Sequence, residues 1–144
     1  MVMQYNTHVE ITLKPVRRPT VVVQVGDQLV HAQLVHTNTY KFEITQATGP
    51  LIIAVEMREK SDTDSSTAVI IENISLGGIS DPKFIWTGIY RPEYPELWAS
   101  TQTDLKETIE ATNYLGWNGR WELQTTVPIF TWIHQIRGLG WIFE

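Results

Sequence analysis

The stretch Ser61–Ile79, SDTDSSTAVIIENISLGGI, decides the fold class of this 144-residue chain. A polar, acid-bearing loop (Ser61–Thr67) runs into a β-branched apolar segment (Ala68–Ile74) and stops at the Gly77-Gly78 turn. An apolar run of that length, bounded by turn residues, predicts a central strand buried on at least one face.

Working outward, the same chemistry repeats toward the N-terminus. Val9, Ile11 and Leu13 alternate with His8, Glu10, Thr12 and Lys14, the pattern of a half-buried strand. Pro15 and Pro19 bracket a bend, and each lacks a ladder donor, which places that link at or outside a sheet edge. Thr20–Val25 is nearly all valine, and Gly26-Asp27 then gives the spacing of a two-residue hairpin into Gln28–Val35. Thr39–Thr45 alternates again, and Gly49-Pro50 introduces Leu51–Met57, after which Arg58-Glu59-Lys60 carries the chain toward solvent. Valine, isoleucine and threonine are stiff at χ1 and fit a pleated surface better than a helix. These runs therefore predict an all-β fold, an antiparallel β-sandwich of jelly-roll-like form.

Toward the C-terminus the composition changes. All six tryptophans and four of the seven prolines follow Asp81. Pro82, Pro92 and Pro95 predict an irregular excursion over Asp81–Leu97. Asp104 with Glu107 resembles a capping box, which predicts a short helix from Leu105 to about Thr112. Trp121, Leu123, Thr125 and Val127 alternate as a strand. Pro128 then suits a first helical position, with Ile129, Trp132, Ile133 and Ile136 as the apolar stripe and Gly138 as the stop. The aromatic end Gly140–Phe143 must pack or dock on something. The expected organisation is a single domain over 1–144, with one or two short helices in its C-terminal third and 82–144 as a Trp-rich second layer or embellishment.

Composition limits function. Apolar residues at 42% and charged residues at 19% describe an ordinary globule, and the formal charge of −5 disfavours nucleic acid as a partner. With no cysteine, thiolate metal sites, thiol nucleophiles and disulfides are excluded. The first residues carry no basic leader or apolar core, so no signal peptide is expected, and no apolar run is long enough for a membrane span. No metalloprotease, serine-hydrolase or phosphate-loop motif occurs, and the four histidines show no ligand spacing. The expected class is not an enzyme.

Two groups of residues are candidate sites. Asp62 and Asp64, with Ser61, Ser65 and Ser66, could offer hard oxygens to calcium, although the loop also reads as a solvated connection. It is not an EF-hand: Thr67 stands where glycine is required and Asn73 where a bidentate glutamate is required. The second group is aromatic. Trp86, Tyr90, Tyr94 and Trp98 lie on a proline-stiffened loop, and Trp117 sits beside the Asn118-Gly119 turn. Exposed, such rings stack on sugars or anchor in protein partners; folded back, they cover the sandwich. Glu93 and Glu96, flanking Tyr94-Pro95, read as solvated acids rather than a catalytic pair.

The runs Val21–Gly26 (VVVQVG), Tyr40–Ile44 (YKFEI) and Val69–Gly78 (VIIENISLGG) resemble the calcium-dependent xylan-binding type of carbohydrate-binding module, over residues 9–80. The resemblance implies a β-sandwich without catalytic residues, in which calcium ligates sugar hydroxyls. Its Asp-Arg-Asn run falls here on Ser66, Thr67 and Ala68; alanine cannot ligate calcium, so the fold carries over better than the metal. The segment Trp121–Trp141 resembles the C-terminal ends of structural proteins of tailed marine phages. The expectation is therefore a non-catalytic accessory component of a phage virion, in the virion or the producing cell's cytoplasm. Its partners would be other virion proteins or further copies of itself. The alternative is a glycan-binding module, with or without calcium.

Overall fold

Alternating side chains become strands wherever one face can be buried. In chain order these are β1 (Gln4–Val16), β2 (Thr20–Val25), β3 (Gln28–Gln33), β4 (Asn38–Ala47), β5 (Gly49–Arg58), β6 (Ala68–Leu76) and β7 (Ile79–Ser80). Helix α1 (Pro82–Thr87), β8 (Ile89–Pro92), α2 (Glu96–Ala99), β9 (Ile109–Glu110), β10 (Tyr114–Leu115), β11 (Gly119–Val127) and α3 (Ile129–Ile136) follow. The computed structural model describes residues 3–136. One sheet runs β10-β6-β1-β4, with β7 folded back on β6; the other runs β3-β2-β5-β11-β8-β9. All pairings are antiparallel, and the two sheets enclose one core, an all-β sandwich with short helices.

The core is the predicted set of inward positions. Val9, Ile11 and Leu13 of β1, Val21, Val23 and Val25 of β2, and Leu51, Ile53, Val55 and Met57 of β5 are buried. Each such side chain contributes about 1.5–3 kcal/mol relative to exposure. The β2–β3 hairpin turns at Gly26-Asp27, with Val25 opposite Gln28. β6 shows why an unbroken apolar run need not be buried on both faces. Ile71 and Ile74 are both buried although three residues apart, because the register against β1 shifts between Thr12 and Leu13. That bulge adds one residue to β6 and restores the inward face.

Pro15 lies inside β1, opposite Val69, on a stretch that is a sheet edge, the first of the two expected placements. It is tolerated there because pairing with β4 ends at Leu13, which leaves that side of β1 open. Several expectations are corrected. Asp81–Leu97 is not irregular: Asp81 caps α1 by accepting from the Lys83 N–H (2.9 Å), with Pro82 opening the helix. No helix forms over Leu105–Thr112. Asp104 is left-handed (φ 59°) where an N-cap must be extended, Ala111 is left-handed too, and Ile109–Glu110 instead pairs with β8 as β9. The helix after β11 is present and starts at Ile129, one residue past Pro128, whose carbonyl accepts from the Trp132 N–H. The expected stop at Gly138 and the aromatic run Gly140–Phe143 lie outside the described residues.

The described part of the Trp-rich half, residues 82–136, supplies strands to both sheets. β11 lies between β5 and β8 in the second sheet, paired to β5 along its whole length, and β10 extends the first sheet. Two glycines permit the close packing this needs. A Cβ on Gly88 would stand 2.2 Å from the Trp121 ring, and one on Gly119 would stand 2.4 Å from the Arg91 carbonyl oxygen. No described helix is long and apolar enough to cross a membrane.

Candidate functional site

At one end of the sandwich β5 and β8 finish while β6 and β11 begin, as Gly119 lying opposite both Met57 and Pro92 shows. Three connections meet there: Lys60–Thr67, Glu93–Trp98 and Tyr114–Asn118. They surround a cleft of about 370 Å³, within the range of small-molecule sites.

The first wall is the acid-bearing loop. Asp64 Oδ1 accepts from the backbone N–H groups of Ser66 (2.9 Å) and Thr67 (3.0 Å), and the Thr67 hydroxyl donates to its other oxygen. The Thr67 hydroxyl first, then these N–H groups, hold the Asp64 carboxyl well below the usual carboxylate range. Serine and threonine following an aspartate favour this turn, so Asp64 shapes the loop. Asp62 is exposed on the cleft rim.

Lys60 joins this wall to the third. Its backbone N–H donates to Asn118 Oδ1 (2.9 Å), its carbonyl accepts from Asn118 Nδ2 (2.9 Å), and its ammonium donates to the Gly116 carbonyl (2.6 Å). Burial lowers the Lys60 pKa against the opposing pull of Asp64. Asn118 also accepts, through its backbone carbonyl, from the Glu93 N–H (2.6 Å), so it touches all three connections. The expectation that Arg58-Glu59-Lys60 simply leads into solvent is therefore corrected. Arg58 is ion-paired to Glu56 (2.8 Å) and Glu93 (2.6 Å), and Lys60 turns back into the cleft.

The aromatic candidates divide. Tyr94, Trp98 and Trp117 form one cluster, with Tyr94 edge-on to Trp117 (centroids 4.9 Å) and Trp98 5.8 Å from both. Trp98 and Trp117 line the cleft, and Trp98 is 39% exposed. The Tyr94 hydroxyl is tied to the Lys106 carbonyl (2.8 Å). Tyr90 is corrected from a contact residue to a core residue: it is fully buried because it faces inward from β8 beside Trp121. Its hydroxyl donates to the Trp117 carbonyl and accepts from the Trp117 N–H (3.0 Å), which fixes the neighbouring loop. Trp86 is 45% exposed on α1 but does not line the cleft.

Asp62, Asp64, Trp98 and Trp117, chosen from the sequence for rival reasons, thus border one space. Lys60, Tyr114 and Asn118 border it too and were missed. A lysine just before an acidic loop was the available signal; Asn118 read only as a turn residue. Calcium takes six to eight oxygens with several carboxylates. Both Asp64 oxygens are occupied within the loop, and no cluster of three His, Cys, Asp or Glu residues exists among the described residues. The donors present do not fit a resident calcium ion.

No family model matches the chain, and comparison with curated proteins finds no relative. Two solved structures are similar. vCBM60 in complex with galactobiose has a TM-score of 0.54 at 18% identity, covering 83% of this chain and 99% of that one. The selenomethionine form of vCBM60, from a description of two families of calcium-dependent carbohydrate-binding modules linked by circular permutation, has a TM-score of 0.55 at 15% identity, covering 81% of this chain and 89% of that one. The chain has the β-sandwich fold of these modules. The likeness extends well beyond residues 9–80.

Proposed function

We propose that the protein is a non-catalytic carbohydrate-binding domain that takes a short stretch of glycan into the cleft between Lys60–Thr67, Glu93–Trp98 and Tyr114–Asn118. The observation that carries this reading is the pairing of Trp98 and Trp117 with polar groups across one cleft. A sugar ring presents an apolar C–H face and a polar rim. The indole faces meet the former, and the Lys60 ammonium, the Asn118 amide and the Asp62 carboxylate meet the latter. The fold shared with carbohydrate-binding modules supports it.

Hydrolysis has little behind it. A glycosidase needs one carboxyl held protonated beside a second carboxylate; here Asp64 is held ionised and Glu93 is paired with Arg58. Of the rings that would make a virion contact surface, Tyr90 is buried while Trp86 and Trp98 are exposed. The fold shared with carbohydrate-binding modules favours the glycan reading over the virion one.

A glycan array with the purified chain tests the proposal, followed by titration of the best polysaccharide against Trp98→Ala and Trp86→Ala. Trp98→Ala should weaken binding about tenfold, while Trp86→Ala leaves it unchanged. Equal losses in both, or no ligand on the array, would remove the reading.

A further inference from the structure

We infer that the Lys60 ammonium is the resident cation of the cleft, so that ligand binding there needs no metal. This rests on the carbohydrate-binding reading and departs from its calcium-dependent structural relatives.

Three observations carry it. First, the carboxylate that would anchor a cation is already engaged. Asp64 accepts from Ser66 and Thr67 on one oxygen and from the Thr67 hydroxyl on the other, and Glu93 on the facing wall is paired to Arg58, which leaves Asp62 as the lining carboxylate with no such engagement. Second, a positive charge is already in place. The Lys60 ammonium lines the cleft and uses one donor on the Gly116 carbonyl at 2.6 Å. An ammonium has three donors, so two remain for sugar hydroxyls. A divalent ion entering the same space would meet that charge and be repelled. Third, the lysine is set before any ligand arrives. Asn118 clamps its backbone from both sides at 2.9 Å and the Gly116 carbonyl holds its ammonium at 2.6 Å, which reduces the ordering cost that a long side chain normally brings to binding.

Metal ions bind hydroxyls by coordination, whereas the ammonium binds them by charge-assisted hydrogen bonds. Only the metal-coordinated arrangement responds to chelation. The experiment titrates the best array polysaccharide into the full chain with excess EDTA and with excess calcium. Thermal unfolding is followed under both conditions, and Lys60→Met and Lys60→Arg are measured in parallel. Affinity and melting temperature should be the same in EDTA and calcium. Lys60→Met should lose about tenfold or more in affinity, and Lys60→Arg should retain most of it. Loss of binding in EDTA, a melting temperature raised by calcium, or unchanged affinity in Lys60→Met would overturn the inference. If Lys60→Met does not fold, Lys60→Arg in EDTA decides: retained binding supports it and lost binding overturns it. If no polysaccharide binds under either condition, the carbohydrate reading has failed, and the calcium effect on melting still judges the metal claim by itself.

Discussion

Two aromatic groups come from the same Trp-rich half of the chain and have opposite fates. Phe84, Tyr90, Trp121 and Trp132 are sealed in the core, whereas Tyr94 packs against Trp98 and Trp117, which line an open cleft. Their contact geometry hardly differs: Phe84 and Trp132 sit 5.8 Å apart, the same separation as Trp98 and Trp117. What differs is the backbone beneath them. Strand alternation on β11 sends Trp121 inward with Leu123, Thr125 and Val127, leaving no choice of face. The cleft rings stand off the strands, Trp98 on the short α2 and Tyr94 and Trp117 on connections, where no pleat dictates direction. Ring composition says that a region is aromatic; register says which rings are available to a ligand.

That contrast can be tested at descending scale. Trp121→Ala should cost about 3–5 kcal/mol of unfolding free energy in urea titration, as expected of a large core side chain. A loss under about 1 kcal/mol would place Trp121 outside the core group. Tyr90→Phe probes the seam between the groups, because its hydroxyl serves both backbone groups of Trp117. It should cost about 1–3 kcal/mol and also weaken ligand binding, by leaving those groups unpaired. A variant with lowered stability and untouched affinity would show that the cleft is set without Tyr90. Trp98→Ala should change stability by only about 0.5 kcal/mol while lowering affinity. A large melting shift there would mean that the cleft cluster is core after all.

The smallest effect should come from β1. His8 lies between Glu10 (2.7 Å) and Glu43, and hydrogen bonds to Glu10 and then Glu43 raise its pKa above 6.5. Because the folded value is raised, its contribution is fully present below pH 6.5 and fades as pH rises through the raised value. Melting curves of the natural chain and His8→Gln should therefore converge at higher pH. A difference that widened with pH would contradict the pairing. Affinity for a cleft ligand should not follow this titration.

Much of the sandwich was legible because periodicity is a local property. Val9-Ile11-Leu13, Val21-Val23-Val25 and Trp121-Leu123-Thr125-Val127 each announce an inward face within a few residues. The helix expected over Leu105–Thr112 failed for a complementary reason. Its capping pattern was local, but Asp104 and Ala111 adopt left-handed backbone and Ile109 finds a strand partner in β8, which window-scale patterns do not contain. The site was legible only in pieces. Asp62 and Asp64 were visible as hard-oxygen donors, and Trp98 and Trp117 as exposed rings. Nothing local says that residues as far apart in the chain as Lys60 and Asn118 close on one another. The Thr67 hydroxyl that occupies Asp64, and the amide of Asn118 that holds Lys60, are equally tertiary.

Asn118 therefore has a bearing on how such a cleft can change. One residue pins the start of the acidic connection by its side chain and the start of the aromatic connection by its carbonyl. Positions beyond those pins, such as Asp62, Ser65 and Leu97, are exposed tips that can be exchanged without moving the hub. A library confined to the tips would diversify what the cleft accepts while its frame stays still, whereas any replacement of the asparagine would loosen every wall at once.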